Sequence, residues 1–385
     1  MKSFFNHFDL EIATPDYDSD LTDIIIELEK LRLGRRIITN VYPLIFFQLK
    51  QVFHLLESLG SVRIEGNNTT LAEVVEKTIE GTENLSSEEN IKEYQNNLDA
   101  LDFIEENIEQ GSPINRIFVS ELHKIIVEGL STKREGDKTP GLYRSGAVNI
   151  SQSKHQPPAP ELIQNYMDDL FKFIQRYSKE AKYNLLATSI AHHRFSWIHP
   201  FGNGNGRVVR LLTYAMLLST GFAVRGILNP TAIFCVDRDQ YYLMLEKADQ
   251  GTRAGQLAWC EYVLKNLKVE IAKIEKLLDE KYLLNNILLP ALNISRRKEI
   301  VTEDEFLVLI KGCKHGEFMA GDVKEVLGKK YPYEITRILN NLKEQKMIKA
   351  VPDSQRKYHV VFTKSLLLRG LIEVLKKEGF VPFPE

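Results

Sequence analysis

The chain has 385 residues, a formal net charge of −2 at pH 7, and a composition of 43% hydrophobic and 26% charged residues. This composition is typical of a globular protein with two or three domains and a substantial core. The three cysteines, Cys235, Cys260 and Cys313, share no short spacing, which favours reduced thiols over a disulfide framework or a zinc site.

The amino-terminal residues do not predict a secretory signal peptide. Residues 1–7 lack an apolar stretch long enough for a signal peptide. No segment approaches the ~20 apolar residues that a membrane span needs. The sequence therefore predicts a cytoplasmic protein without a membrane partner.

Most of the chain up to about residue 290 has apolar residues at helical spacing. The pattern predicts helices over these ranges: 21–59 with a break at Pro43, 90–110, 119–130, 161–177 and 183–197. Between them, Pro140 and Gly141 open a turn, and the apolar residues Tyr143, Val148 and Ile150 predict a short β-hairpin.

The last hundred residues have a different pattern. Residues 285–297 turn basic and lose periodicity at Pro290, which predicts a linker. Beyond it the sequence predicts helices around 306–310, 323–327 and 335–342, then strands over 348–351 and 358–362. This order is the plan of a winged-helix domain over 296–385. That range carries 18 Lys/Arg against 13 Asp/Glu, a mild positive excess that is compatible with contact with DNA. Winged helices also serve as protein-docking or dimer modules, and this alternative stays open.

Residues 199–210 read His-Pro-Phe-Gly-Asn-Gly-Asn-Gly-Arg-Val-Val-Arg and precede an apolar helical run. A glycine-rich turn that opens into a helix presents unpaired N–H groups and the positive end of the helix dipole to an anion. Arg207 and Arg210 are one helical turn apart, so both guanidinium groups can bind phosphate oxygens from one face. The pattern predicts a phosphate site with His199 beside it as candidate base.

These twelve residues resemble the signature of the Fic family, His-Pro-Phe-x-Asp/Glu-Gly-Asn-Gly-Arg-x-x-Arg. Every fixed position matches except 203, where Asn203 replaces the acid. The resemblance covers about residues 60–265. It implies a mostly α fold, a Fic-type helical bundle with a short β-hairpin flap, followed by the winged helix-turn-helix domain. The implied domains are an amino-terminal helical region with an inhibitory helix (1–90), the catalytic core (91–285) and the winged helix (296–385).

The resemblance also implies an activity, the transfer of AMP from ATP to a Ser, Thr or Tyr hydroxyl of a target protein or of the chain itself. His199 would be the general base. The implied nucleotide-binding residues are Gly204, Asn205, Gly206, Arg207 and Arg210, with Arg210 on the γ-phosphate. The family acid coordinates Mg²⁺, so Asn203 implies weaker metal binding and slower turnover, or an inactive site. The implied flap residues are Tyr143, Arg144 and His155.

Residues 61–67, Ser-Val-Arg-Ile-Glu-Gly-Asn, resemble the inhibitory motif of the same family. Ser61 and Glu65 are four residues apart and share a helix face. The resemblance implies that Glu65 pairs with Arg210 and keeps the γ-phosphate out. In some relatives this glutamate also serves the removal of AMP from a target. An ordinary helix end with Gly66 after it is the plain alternative.

Other functions stay open at the sequence level. A phosphotransferase branch of the family has Lys where this chain has Gly206, which favours nucleotidyl transfer here. A weak or inactive Fic core acting as sensor for a DNA-binding winged-helix regulator is the second function class. A homodimer is a further expectation.

Overall fold

The computed structural model describes residues 5–34, 41–81, 89–150, 153–222, 231–328, 331–352 and 354–383. The chain divides into two units. Unit 1 comprises Met1–Ile37, Glu57–Thr69 and Ser86–Ala272, and unit 2 comprises Ile38–Leu56, Thr70–Leu85 and Lys273–Glu385. The predicted boundaries at residues 90, 285 and 296 stay a prediction.

Helices dominate the described residues. In chain order they are α1 (Asp20–Gly34), α2 (Pro43–Ile64), α3 (Leu71–Glu80), α4 (Glu89–Asn107), α5 (Arg116–Val127), α6 (Ile163–Tyr177), α7 (Asn184–Ile198), α8 (Asn205–Ser219), α9 (Ala232–Cys235), α10 (Arg238–Ala248), α11 (Arg253–Leu278), α12 (Glu280–Tyr282), α13 (Leu289–Arg297), α14 (Glu303–His315), α15 (Ala320–Leu327), α16 (Pro332–Glu344) and α17 (Leu367–Lys377). The strands are β1 (Phe318–Met319), β2 (Ile348–Val351) and β3 (Ser354–Val360). The mostly helical fold is therefore confirmed, including the break before Pro43.

The centre of unit 1 is formed by α7 and α8, which are buried along almost their whole length. Helix α7 packs on α6 and α8, and α8 also packs on α4 and α5. The aromatic side chains of Phe195, Trp197 and Phe201 are fully buried, and each contributes about 1.5–3 kcal/mol to stability. The loop between α7 and α8, which carries the glycine-rich motif, is thus fixed at both ends by the core.

The predicted β-hairpin is wrong over residues 139–150, where the structure has turns and irregular chain, and the nearby His155 is a single bridge residue. The reason lies in the backbone partners of this segment. Arg144 donates from its guanidinium to Gly146 O and Pro158 O, and its N–H donates to Pro200 O. One buried arginine holds the segment in place of a ladder of cross-strand bonds.

In unit 2 the predicted helices correspond to α14, α15 and α16, and the helix pair is separated by Gly328 in the left-handed conformation, φ +60°. The strands form an antiparallel sheet in the order β1-β3-β2, with Ile348 opposite Val360. The second predicted strand begins four residues earlier than expected, at Ser354. Helix α17 follows the sheet. The assignment of this region as a winged helix stays a prediction.

The predicted linker over 285–297 is wrong. A π-helical turn, Leu283–Leu288, runs directly into α13. Pro290 is the second residue of α13, and the chain continues through it from the π-helical turn without a break. Ala291 and Leu292 are buried, and the helix packs on α17.

Candidate functional site

The predicted site residues of the motif meet in one cavity of unit 1, with a volume of about 650 Å³. Its lining includes Glu65, Glu135, His155, His199, Asn203, Gly204, Asn205, Gly206, Arg207, Arg210, Arg238, Tyr241 and Tyr242. The cavity joins the end of α2, the motif loop, the start of α8 and helix α10. It brings together a histidine, two arginines and a helix amino terminus.

The chain turns sharply at His199, directly after α7. This residue adopts the left-handed conformation, with φ 50° and ψ 62°, and its N–H donates to Phe195 O. A side chain other than glycine in this conformation costs about 1–2 kcal/mol. Local contacts must hold it there, and strained residues of this kind are frequent at functional sites.

Two further residues shape the loop. The side-chain amide of Asn205 accepts from Phe201 N–H and donates to Phe201 O, both at 2.9 Å. Gly204 begins α8 at φ +74°, and a Cβ there would lie 3.2 Å from Val127 Cγ1. Asn205 therefore holds the loop closed with both ends of its amide.

Glu65 lies over the first turn of α8. A Cβ at Gly206 would be 2.2 Å from Glu65 Oε1, so any larger residue would collide with the carboxylate. The first turn of an α-helix leaves its N–H groups without intrahelical partners. Glu65 therefore occupies the volume in which an anion would meet the amino terminus of α8.

Arg210 is held by the end of α2. Its Nη2 donates to Glu65 Oε1 at 2.7 Å and to Ser61 O at 2.9 Å, and its Nε donates to Ser61 Oγ at 3.0 Å. Burial opposes ionisation of Glu65, but the charge and hydrogen bond of Arg210, together with the charges of Arg207 and Arg238, outweigh burial and hold the pKa of that carboxyl below its usual value. The predicted contact between Glu65 and Arg210 is therefore present, whereas its effect on activity stays a prediction.

Arg207 is fully buried and contacts two carboxylates that the sequence analysis missed. Its Nη1 lies 2.9 Å from Glu93 Oε1, and its Nη2 donates to Glu135 Oε2 at 2.8 Å. Glu93 also accepts from Asn67 Nδ2 at 2.7 Å. Burial raises the pKa of both glutamates. In the sequence, the available signal for Glu93 was a glutamate close to the apolar residue Ile91 in a predicted helix.

The surroundings of His199 favour the neutral imidazole. Burial is the main reason, and the positive charge of Arg144 acts in the same direction, so the pKa of His199 falls to about 4. The negative charge of Glu65 opposes this shift. At pH 7 the ring is therefore unprotonated and can accept a proton.

Asn203 does not fit the role of a Mg²⁺ ligand. Its side-chain Oδ1 already accepts from Gly204 N–H at 2.7 Å, and its Nδ2 donates to Arg134 O at 2.7 Å. A hard cation prefers carboxylate and water oxygens, and a neutral amide with its oxygen occupied offers little. The described residues also contain no group of three His, Cys, Asp or Glu arranged to hold a metal ion.

The three predicted flap residues lie against the motif loop. Arg144 and His155 are each 6% exposed. The Tyr143 ring is 5.9 Å from the Phe201 ring between centroids. His155 donates from Nε2 to Trp197 O at 2.8 Å and stacks on the Trp197 ring. Their role in docking a target stays a prediction.

The helical core carries a histidine directly after α7 and two arginines one turn apart near the start of α8. Residues 113–217 match the model of the Fic/DOC family. The chain therefore contains a Fic domain, and the resemblance seen in the motif is confirmed.

Comparisons with known proteins agree. The chain is 30% identical over 192 residues to the protein adenylyltransferase Fic of Nematostella vectensis, a match of 49% of this chain and 42% of that relative. The Drosophila melanogaster protein of the same name is 28% identical over 201 residues, covering 51% of this chain and 37% of the relative. The chain thus spans less than half the length of these relatives.

The fold has a solved counterpart in a Fic family protein from Desulfovibrio desulfuricans G20. The TM-score is 0.57 at 21% identity, and the match covers 91% of this chain and 98% of the other. Separately, among the helices of the described residues, none combines the length and the apolar character needed to cross a membrane.

Proposed function

We propose that this chain is a protein adenylyltransferase that moves AMP from ATP to a Ser, Thr or Tyr hydroxyl. One observation carries the proposal: His199, the amino terminus of α8 and the guanidinium groups of Arg207 and Arg210 line a single cavity of about 650 Å³. Such a volume is in the range of small-ligand sites. The acceptor is another protein or a second copy of the chain.

In the proposed reaction His199 takes the proton of the acceptor hydroxyl. The hydroxyl oxygen attacks the α-phosphorus of ATP, the bond to the bridging oxygen breaks, and pyrophosphate leaves. The N–H groups at the start of α8 and the Arg207 guanidinium neutralise charge on the phosphates. Asn203 is committed to Gly204 and Arg134 and takes no part in this scheme.

We further propose that the resting chain is self-inhibited by Glu65. The carboxylate occupies Arg210 and the space above Gly206, and it would repel a γ-phosphate placed there. A charge-assisted hydrogen bond contributes about 1.5–3 kcal/mol, equivalent to roughly one to two decades in nucleotide affinity. The same carboxylate could orient water for removal of AMP, which is a second activity of the proposed site.

The proposal is tested by incubating the chain and its Glu65→Gly variant with ATP labelled in the α- or the γ-phosphate. Glu65→Gly should take up α-label, on itself or on an added lysate protein, and the double variant with His199→Ala should take up none. The matched control is Glu80→Gly, the same change at the last residue of α3. Uptake of γ-label instead would indicate phosphoryl transfer, and label that survives His199→Ala would remove His199 from the role of base.

A second candidate function, DNA binding by residues 296–385, is favoured by one surface of unit 2. Arg337 and Lys343 on α16, and Lys349, Arg356 and Lys357 on the hairpin, are all exposed. Basic side chains on a helix and a neighbouring hairpin can neutralise phosphates of a duplex. Binding of duplex DNA by the full chain should weaken with salt and with Lys343→Glu but not with Lys179→Glu in unit 1. The absence of binding at low salt would end this candidate.

The cytoplasmic location and the homodimer stay predictions.

A further inference from the structure

Arg144 uses most of its donors on backbone carbonyl groups around His199. Its Nε donates to His199 O at 2.8 Å, and its own N–H donates to Pro200 O at 2.9 Å. Its Nη1 and Nη2 donate to Gly146 O and Pro158 O at 2.8 and 2.7 Å, which fixes the guanidinium from the other side. The side chain is 6% exposed. It is therefore a buried anchor and not an exposed docking group.

Two of the carbonyl groups that Arg144 holds, those of His199 and Pro200, belong to the sharp turn of the motif. His199 has a left-handed backbone conformation that a residue with a Cβ adopts only under constraint. On the other side of the turn, the N–H of His199 is held by Phe195 O at 2.9 Å. The amino side of the turn is thus fixed by α7, and the carboxyl side is fixed by Arg144.

We propose that Arg144 is the positioning residue of the candidate base: by donating from its guanidinium Nε to His199 O, beside the bond from its backbone N–H to Pro200 O, it imposes the left-handed turn that directs the imidazole into the cavity. This inference rests on the proposed function, since it gives His199 the role of base. It changes the expected role of Arg144, which the sequence assigned to a flap that docks the target.

Holding these carbonyl groups requires several N–H donors in fixed directions, which are called the fork below. The planar guanidinium of arginine presents several N–H groups in fixed directions, whereas the ammonium of lysine is a single point charge. Arg144→Lys therefore keeps the charge and loses the fork, and Arg144→Met keeps the length and loses both. The two variants separate positioning of His199 from the electrostatic effect on it.

The pKa of His199 is the second quantity that distinguishes the two variants. The charge of Arg144 lowers the pKa of His199, His155 acts in the same direction, and Glu65 opposes them. Removal of the charge in Arg144→Met should raise the pKa of His199 by about one unit or more. Arg144→Lys should leave that pKa closer to its original value.

The experiment uses the full chain with Glu65→Gly as parent and follows His199 by NMR. The backbone carbon shifts report the left-handed conformation, a pH titration reports the pKa, and His199→Ala assigns the signals. Kinetics with ATP report kcat and KM separately. The matched control is Arg116→Met, because Arg116 contacts the Tyr143 ring at 4.8 Å and Gln164 instead of the motif carbonyl groups.

The inference predicts that both Arg144 variants shift the backbone signals of His199. Both should also lower kcat at least tenfold with little change in KM for ATP. Only Arg144→Met should raise the pKa of His199, by about one unit. Unchanged backbone signals in folded Arg144→Lys would overturn it. If the parent transfers no AMP, the proposed function fails, while the NMR signals still decide whether Arg144 positions His199. If Arg144→Met does not fold, Arg144→Lys decides alone.

Discussion

Arg207 and Arg210 lie one turn apart on α8, but the residues that bind them come from different parts of the chain. The three acceptors of Arg210 all belong to one short stretch, Ser61 and Glu65 at the end of α2. The two carboxylates on Arg207 come from separate places, Glu93 on α4 and Glu135 in the loop after α5. One arginine is held by a single segment, and the other is held by two separate segments, a buried helix and a partly exposed loop.

The contacts of Arg210 can therefore regulate the site, whereas the contacts of Arg207 stabilise the fold. Movement of the end of α2 alone would free Arg210 for an anion, because all of its bonds belong to that segment. No single segment can free Arg207. We therefore expect substitutions around Arg207 to change stability and substitutions around Arg210 to change nucleotide binding.

The largest expected effect lies at Glu93, which is 2% exposed and adjoins the fully buried Arg207. Glu93→Ala leaves a buried guanidinium with one carboxylate fewer, and the free energy of unfolding should fall by about 3 kcal/mol. Glu93→Gln keeps a partner for Asn67 and should lose less. Urea unfolding measures both. A change below about 1 kcal/mol in Glu93→Ala would show that Arg207 does not depend on the core carboxylate.

The next effect is the affinity for ATP in Glu65→Gly. Loss of the pair with Arg210 should tighten binding by about 10- to 100-fold, since a charge-assisted hydrogen bond of about 1.5–3 kcal/mol no longer competes. Isothermal titration of wild type, Glu65→Gly and the control Glu80→Gly measures the dissociation constants. Equal affinity in all three proteins would mean that the end of α2 does not restrain Arg210.

The smallest effect is expected at Glu135, whose side chain is 33% exposed beside Arg207. Solvent screens such a pair, so Glu135→Gln should tighten ATP binding by at most about fivefold, and less at high salt. Titrations at two ionic strengths test it. An effect as large as that of Glu65→Gly would contradict the division between the two arginines.

Local patterns predicted most of the fold. Periodic apolar residues indicated the helices, and Pro43 marked the start of α2. The motif predicted the cavity side chains because its residues lie within twelve positions of one another. The sequence predicted that Ser61 and Glu65 share a helix face because four residues span about one helical turn.

The failures have a common cause in contacts between distant residues. The alternation at Tyr143, Val148 and Ile150 indicated a hairpin, but Arg144 bonds to Pro200 and so replaces the ladder of the strands. Glu135 reaches Arg207 across 72 residues, and no spacing in the sequence announces such a pair. Pro290 looked like a break because a proline is unfavourable inside a helix, but the packing of α13 on the distant α17 keeps the chain helical there.

The most direct test of the account is a crystal structure of Glu65→Gly with an ATP analogue whose α- and β-phosphates are joined by a methylene group. The account predicts the γ-phosphate within hydrogen-bond distance of the Arg210 guanidinium and the α-phosphate between the start of α8 and the His199 ring. Phosphates bound away from both arginines, or a His199 ring that faces away from the α-phosphorus, would contradict it.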